Sequence, residues 1–376
     1  MLPYLGGDFG NPSSPHSFGR RARAALDEAH ERIGRQVNAG PREIVMTSGG
    51  TEALNLALKG AAWAGKARGH RIVTSAVEHH AVLHALQHLE KFGFETVELP
   101  VDRYGRVDPD QLAAAVNERT TVVAIQLANN EVGTLQPVEA IGKVVREKGA
   151  KGCLFVVDAV AAAAWQAIDV EELQCDLLAL AGHKLDGPKG VGALYVRRGT
   201  HILAQQQGGT QERYRRAGTE DVAGAVGMGV AFELAVAERD ATVKRVKRLR
   251  DRLRAALLAE EAVELTGHPR DRLPNLLSVV VGEADGASIV VKLDLEGVAA
   301  SVGSACTTGS TEPSHVLTAL GYPEDEARGS LRLSLGRTTT DVEIDAAVEI
   351  VPRVIVGSRE AAAVLAADLL GQAVAT

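Results

Sequence analysis

The sequence predicts an α/β fold, in which a large domain built on a mostly parallel sheet precedes a smaller C-terminal α+β domain. Between residues 43 and 198, apolar strands alternate with helices, as in a series of βαβ units. Strands such as TVVAIQL and LFVVDAV are apolar throughout, which is typical of a parallel sheet covered on both faces. A long amphipathic helix then separates this series from a shorter mixture of strands and helices.

The elements of the large domain follow from hydrophobic periodicity and turn residues. The segment 43–60 contains a short strand, a glycine turn and a helix. The remaining elements, in chain order, are the strand RIVTSAV, a helix over His80–Phe92, the strand TVELPV, a helix over Pro109–Asn117, the strand TVVAIQL, a helix over Val138–Lys148, and the strands LFVVDAV, DLLALAG and VGALYVRR.

The long helix is predicted over Asp221–Glu261, where apolar residues recur at helical spacing: Val243, Val246, Leu249, Leu253 and Leu257. Its other face, KRVKRLRDRLR, is basic. This face is either a polyanion site or the solvated side of an amphipathic helix, and we favour the solvated side.

The smaller domain is predicted from four elements and a helical tail. These are the strand LPNLLSVVVG, a helix over Ala287–Leu295, the strand GSLRLSLG, a helix over Thr340–Ile355 and the alanine-rich tail from Ser358. We expect residues 12–235 to form the large domain, and residues 236–376 together with 1–11 to form the small one.

Composition excludes several classes of protein. The 376 residues are 45% hydrophobic and 24% charged, which is ordinary for a globular chain. A net charge of −7 gives no global field for nucleic acid. The sequence shows neither an apolar run of membrane-spanning length nor a signal pattern, so a cytoplasmic location is expected. Three cysteines without a CxxC pair argue against a disulfide framework and against a zinc site.

Two of the candidate site segments follow predicted strands. SGGTE at 48–52 offers backbone N–H groups at a helix N-terminus, and it is either a phosphate cradle or only a tight turn. Asp158 closes the strand LFVVD, where a carboxylate either binds a protonated pyridine nitrogen or caps the next helix. We favour the functional interpretation of Asp158, because a buried carboxylate is costly without a partner.

Two further residues carry reactive groups. Lys184 follows the strand DLLAL in a glycine-rich loop, a position suited to Schiff-base formation, although a surface lysine is the alternative. Cys306 lies in SVGSACTTGS, which has almost no apolar cover, and exposed loop thiols of this kind are typical of reactive cysteines. Cys153 and Cys175 lie in apolar surroundings, so we expect them to be buried and inert.

Together, these segments resemble the cysteine desulfurases of the NifS/IscS branch, within the pyridoxal-phosphate (PLP) enzymes of fold type I. The resemblance covers essentially the whole chain. It depends on an ordered set of motifs: FGNPSSPHSFGR at 9–20, TSGGTE at 47–52, AVEHHAVL at 76–83, ANNEVGTLQP at 128–137, VDAV at 157–160, GHKLDGPKGVGALYVRRG at 182–199, RAGTED at 216–221, GSACTTGSTEPSHVL at 303–317 and SLRLSLGRTTT at 330–340.

The resemblance implies catalytic roles for three residues. Lys184 would hold PLP through a Schiff base and transfer protons, and His79 would stack on the pyridine ring and assist that transfer. Cys306 would attack the sulfur of L-cysteine, so that L-alanine leaves and a persulfide remains on the enzyme. An acceptor protein would then take the sulfur for iron–sulfur assembly, tRNA thiolation or DNA sulfur modification. No resident metal is expected, apart from a transient iron–sulfur contact at Cys306.

The resemblance also implies binding roles. Asp158 would pair with the pyridine nitrogen. The phosphate would be bound by Gly50, Thr51 and His183, and by Thr219 across the interface of a homodimer. The substrate would be bound by Asn130, Arg332 and Asn11, with the first two on its carboxylate.

The chain departs from the family pattern at four positions near the expected cofactor. Ala161 replaces a Gln that bonds the phenolic oxygen, and Ala181 replaces a Ser that binds the phosphate. Leu54 replaces an Asp or Asn, and Asp186 replaces a Tyr. The family also opens about twenty residues upstream, with a strand ending in an N-A-A-T-like turn, and MLPYL lies past that point. These departures leave open a weak or inactive member that serves as a scaffold, and selenocysteine lysis is a further alternative.

Overall fold

The computed structural model describes residues 1–303 and 313–374, and side chains up to residue 364. The chain divides into two compact units. The first contains Met1–Pro100, Val107–Ala128 and Gln136–Arg239, and the second contains Val101–Arg106, Asn129–Leu135 and Asp240–Thr376. Residues 1–11 therefore belong to the first unit and not, as expected from the sequence, to the smaller one. Their Tyr4 packs against Ala22 and Ala25 of the first unit, which explains the difference.

A seven-stranded sheet forms the centre of the first unit, in the order β1-β7-β6-β5-β4-β2-β3. The strands are β1 Ile44–Thr47, β2 Arg71–Ser75, β3 Glu95–Leu99, β4 Thr120–Gln126, β5 Leu154–Asp158, β6 Leu177–Ala181 and β7 Gly192–Val196. β7 runs antiparallel to both of its neighbours, whereas β6, β5, β4, β2 and β3 are mutually parallel. The predicted α/β fold with a mostly parallel sheet is confirmed.

The helices of the first unit are α1 Leu2–Leu5, α2 Ser17–Arg35, α3 Gly50–Gly65, α4 His80–Glu90, α5 Pro109–Ala115, α6 Val138–Lys148 and the first part of α7 Val222–Leu257. Helices α2 to α6 pack against the strands of the sheet. The apolar faces of α3 and α4 join the central strands in one buried cluster. Helix α2 is not among the elements predicted from the sequence, and its narrow buried face includes Ala22, Leu26, Ala29 and Ile33.

The second unit is built on an antiparallel three-stranded sheet in the order β10-β9-β8. Its elements after α7 are β8 Val263–Leu265, β9 Leu276–Val281, α8 Gly286–Leu295, α9 His315–Ala319, α10 Glu324–Arg328, β10 Ser330–Ser334 and α11 Asp341–Val374. α8 packs against α11 and β10. The predicted helix ending at Ile355 and the helical tail are one continuous helix, which contains Pro352.

The basic face of α7 is paired with carboxylates. Arg248 donates two bonds of 2.8 Å to Asp341, and Lys247 contacts Asp251 at 2.8 Å. These pairs are exposed, as on an ordinary solvated helix face, which agrees with the interpretation favoured from the sequence.

Among the helices of residues 1–303 and 313–374, none is both long enough and apolar enough to cross a membrane. Within the same ranges, no cluster of three or more His, Cys, Asp or Glu side chains is arranged to hold a metal ion.

Candidate active site

Most of the predicted site residues of the first unit lie at one edge of its sheet. Because β2, β4, β5 and β6 are parallel, their C-terminal residues Ser75, Gln126, Asp158 and Ala181 share this edge. Asp158 is paired in register with Gln126 on one side and Ala179 on the other. In sheets of this kind the ligand crevice lies outside the carboxyl ends of the strands.

Asp158 is a buried carboxylate, 8% exposed, at the end of a central strand. Its Oδ1 accepts a hydrogen bond of 2.9 Å from the backbone N–H of Val160. Burial raises the pKa of Asp158 to about 6, while the Val160 N–H and the positive charge of Lys184 act to lower it. Lys184, which follows the neighbouring strand β6, is within electrostatic range of Asp158.

Lys184 and His183 lie in a short 3-10 helix, Gly182–Leu185, directly after β6. Both side chains are exposed, and burial of part of the imidazole, followed by the charges of Lys184 and Lys189, lowers the pKa of His183. Asp186 ends the short helix in the left-handed conformation, with φ 58° and ψ 22°, which Asp adopts more readily than most residues.

The segment SGGTE forms a tight turn from β1 into α3, as predicted. Gly49 has a φ of 151°, and α3 begins at Gly50. A Cβ on Gly50 would lie 2.7 Å from Cγ2 of Val160, so this position requires glycine. Thr51 is exposed in the first turn, where free backbone N–H groups favour an anion.

His79 is the N-cap of α4, and its Nδ1 accepts a hydrogen bond of 3.0 Å from the backbone N–H of Ala81. An acceptor at Nδ1 assigns the proton of the neutral ring to Nε2. The ring is half-buried and is fixed by the helix terminus. Sequence reasoning did not identify its neighbour Glu78, a fully buried carboxyl in the same turn, because nothing in the local pattern indicates its distant partners.

Two predicted substrate ligands lie together in the second unit. Nη1 of Arg332 donates to the backbone oxygens of Asn130 at 3.2 Å and of Gly303 at 3.1 Å. The adjacent Glu131 accepts a bond of 2.6 Å from the hydroxyl of Ser314. The predicted sulfur acceptor, Cys306, lies outside the described residues, and Gly303 and Ser314 lie on either side of it in the chain.

The remaining predicted residues, Asn11 and Thr219, are both exposed in the first unit. Oδ1 of Asn11 accepts a hydrogen bond of 2.9 Å from the backbone N–H of Ser13, so its side chain is held by its own turn. Thr219 follows Gly218, whose φ is 105°, and precedes the buried Glu220.

The chain matches the family model described as aminotransferase class-V over residues 1–347. Cysteine desulfurase IscS of Methanosarcina thermophila is 47% identical over 355 residues, covering 94% of this chain and 87% of the relative. The chain belongs to the cysteine desulfurases of this family. A solved NifS-like protein is similar with a TM-score of 0.89 and 34% identity, covering 94% of both chains. The structure of SspA in complex with cysteine is similar with a TM-score of 0.78 and 33% identity, covering 90% of this chain and 94% of SspA.

Cysteine desulfurases of this family are PLP enzymes, and the site has groups of the kind that PLP requires. A buried carboxylate, Asp158, can face a protonated ring nitrogen, and an amine, Lys184, lies near it. The start of α3 provides N–H groups for a phosphate, at a position where Val160 excludes any Cβ from Gly50. One expected phosphate ligand is missing, because buried Ala181 presents only a methyl group to this corner.

Proposed function

We propose that this chain removes sulfur from L-cysteine with the help of PLP, giving L-alanine and a persulfide on Cys306. The observation that carries the proposal is the buried carboxyl of Asp158 at the C-terminal end of β5, with Lys184 within electrostatic range of it after the neighbouring β6. The membership of the cysteine desulfurases supports the choice of substrate, and so does the relative that was solved with cysteine.

The residues that would hold PLP come from four strand ends. Lys184 would bind the cofactor covalently, Asp158 would face its ring nitrogen, and His79 would stack on the ring. The phosphate would be bound by Gly50, Thr51 and His183, with Thr219 from the partner subunit of a homodimer. When bound, PLP supplies an electron sink for the α-carbon of the amino acid.

The protein groups then perform the proton and sulfur transfers. Once the amino group of the substrate has replaced that of Lys184 on the cofactor, the released amine of Lys184 would accept the α-proton. Asn130 and Arg332 would hold the substrate by its carboxylate, and Asn11 would contribute to the pocket. His79, with its proton on Nε2, assists in transferring protons near the ring. Asp158, as a carboxylate, keeps the ring nitrogen protonated.

The sulfur step uses the thiolate of Cys306. Its Sγ forms a bond to the substrate sulfur, and the bond between that sulfur and the substrate β-carbon breaks. The electron pair of the broken bond stays with the β-carbon, which takes up a proton, so alanine leaves and Cys306 carries the persulfide. The overall change, cysteine plus thiol to alanine plus persulfide, needs no external oxidant or reductant.

The persulfide then passes to an acceptor protein, whose pathway is iron–sulfur assembly, tRNA thiolation or DNA sulfur modification. Such transfer needs a reducing compartment, in which thiols remain free, and we therefore place the enzyme in the cytoplasm.

Purified protein supplied with PLP, L-cysteine and dithiothreitol tests the proposal. We expect equal amounts of alanine and sulfide, no product from Lys184→Ala, and no product from Cys306→Ala although this variant still binds PLP. Cys153→Ala is the matched control, because burial raises the pKa of the Cys153 thiol to about 12 and keeps it unreactive. Failure of the unmodified protein to make alanine would refute the proposed activity.

A further inference from the structure

Glu78 is a buried carboxyl for which the mechanism above has no role. It lies in the turn between β2 and α4, directly before His79, and its exposed fraction is 0%. Removing a carboxylate from water costs several kcal/mol unless it is neutralised or well bonded. A carboxyl buried in this turn must therefore be neutral or be stabilised by specific interactions.

The hydrogen bonds of Glu78 connect two strand ends to the turn. Its Oε1 accepts from the hydroxyl of Ser75 at 2.6 Å and from the backbone N–H of Gln126 at 3.1 Å. Ser75 is the last residue of β2, and Gln126 is the last residue of β4. The side-chain amide of Gln126 donates in turn to the backbone oxygen of Val77 at 2.7 Å. The turn that carries His79 is thus fixed to both strands through Glu78 and Gln126.

Glu78 also lies within electrostatic range of Asp158, the residue paired with Gln126 in the sheet. Burial raises the pKa of Glu78 to about 8. The bonds from Ser75 and Gln126 act to lower this pKa, and the charge of Asp158 adds a smaller increase. The positive charge of Lys184 favours the ionised form of Asp158, so the negative charge of the two carboxyls falls on Asp158. Both described bonds to Glu78 end on Oε1, so a proton on Oε2 leaves them intact.

We propose that Glu78 is a positioning residue, whose uncharged carboxyl fixes the His79 turn to β2 and β4 and leaves the negative charge of the buried pair on Asp158. The inference depends on the proposed function for the use made of His79 and Asp158. Its structural part, a neutral acid bonded to Ser75 and Gln126, is independent of any cofactor.

The free energy of unfolding of the full-length protein freed of PLP, measured between pH 5 and 8, tests the protonation state. A glutamate whose pKa is higher in the folded state binds a proton on folding. Its contribution to stability is complete below the unfolded pKa of about 4.5 and is lost as the pH rises towards about 8. Glu78→Gln is the reference variant, because its side-chain amide keeps an oxygen acceptor but does not titrate.

Relative to Glu78→Gln, we expect the folding constant of the unmodified protein to fall by roughly tenfold per pH unit over this range. Glu98→Gln, an exposed glutamate on β3, is the matched control and should follow the unmodified protein at every pH. Parallel curves for the unmodified protein and Glu78→Gln would mean that Glu78 is charged in the folded state, and the proposal would be withdrawn.

The absorption of bound PLP tests the positioning role. We expect Glu78→Gln to retain the visible band and its pH profile. Glu78→Ala, which removes the acceptor for Ser75 and Gln126, should shift that profile and weaken PLP binding several-fold. If Glu78→Ala instead leaves the band and its pH profile unchanged, Glu78 does not position the site. A lack of alanine from the unmodified protein would refute only the proposed activity, because the unfolding curves need neither PLP nor substrate.

Discussion

The carboxylate of Glu131 accepts a hydrogen bond of 2.6 Å from the hydroxyl of Ser314, and both residues are only 4% exposed. Ser314 is also the N-cap of α9, where its oxygen accepts from the backbone N–H of Leu317 at 3.3 Å. On the other side of Cys306 in the chain, Gly303 is bonded to Arg332, which also bonds the residue before Glu131. The segment 130–131 therefore anchors both sides of the stretch that contains the proposed sulfur acceptor.

We predict that Glu131→Ala and Ser314→Ala each lower the free energy of unfolding by about 1–3 kcal/mol, because each leaves a buried polar partner unsatisfied. The double variant should lower the free energy of unfolding by less than the sum of the two single effects, as measured by denaturant unfolding in a double-mutant cycle. Glu349→Ala, on the exposed side of α11, is the control and should lie within about 0.5 kcal/mol of the unmodified protein.

The same pair should affect sulfur transfer more than cofactor binding. We expect Glu131→Ala to lower the rate of alanine formation several-fold with an unchanged dissociation constant for PLP. The reason is that Glu131 bonds Ser314, which follows Cys306 in the chain, and not the residues at the Asp158 edge. Equal losses in PLP affinity and in rate would indicate general unfolding instead.

The pKa of Asp158 predicts a pH dependence of PLP binding. In the protein without PLP, burial raises the pKa of the Asp158 carboxyl to about 6. The charged form, which would face a pyridinium, therefore predominates only above that pH. PLP affinity, followed by absorption, should therefore increase as the pH rises through about 6, by at most tenfold per pH unit.

Asp158→Asn should bind PLP more weakly and lose this dependence. Asp186→Asn makes the same change of charge after β6, and Asn also tolerates the left-handed conformation found there, so this control should keep the dependence. An identical pH profile for Asp158→Asn and the unmodified protein would contradict the assigned role.

Apolar patterning predicts much of this fold, because β4 and β6 are buried along their whole length and β5 is buried from its second residue onwards. Asp158 and Lys184 can be identified in this way. Helix α2 is not predicted by apolar patterning, because its buried face includes small alanines among many charged residues. Strand β8 is not predicted either, because it is only three residues long. Glu78 and Glu131 cannot be identified from local sequence, because their partners Gln126 and Ser314 are 48 and 183 residues away.

Ala181 should limit the affinity for PLP. Its Cβ lies 3.6 Å from the position that a Cβ would take on Gly50, at the start of α3 where the phosphate is proposed to bind. Ala181→Ser places a hydroxyl in this corner, and one added hydrogen bond of about 0.5–1.5 kcal/mol would tighten PLP binding by roughly two- to tenfold. Pyridoxal, which lacks the phosphate, is the control ligand and should bind both proteins equally.

The N-terminal segment should form part of a subunit interface. Leu2, Leu5 and Phe9 are 82%, 65% and 72% exposed, an unusual concentration of apolar side chains within nine residues. Phe9 also stacks on Phe18 with ring centroids 6.2 Å apart, so the patch extends onto α2. We predict that the unmodified protein is a dimer in sedimentation velocity and that Phe9→Asp is a monomer.

If Thr219 completes the phosphate site of the partner, the Phe9→Asp monomer should also bind PLP more weakly, by about tenfold for the loss of one charge-assisted bond. Val342→Asp, which charges an equally exposed apolar residue in the first turn of α11, is the matched control and should remain a dimer with unchanged PLP affinity. A dimeric Phe9→Asp protein would place the subunit interface elsewhere, whereas a monomer with full PLP affinity would remove Thr219 from the phosphate site.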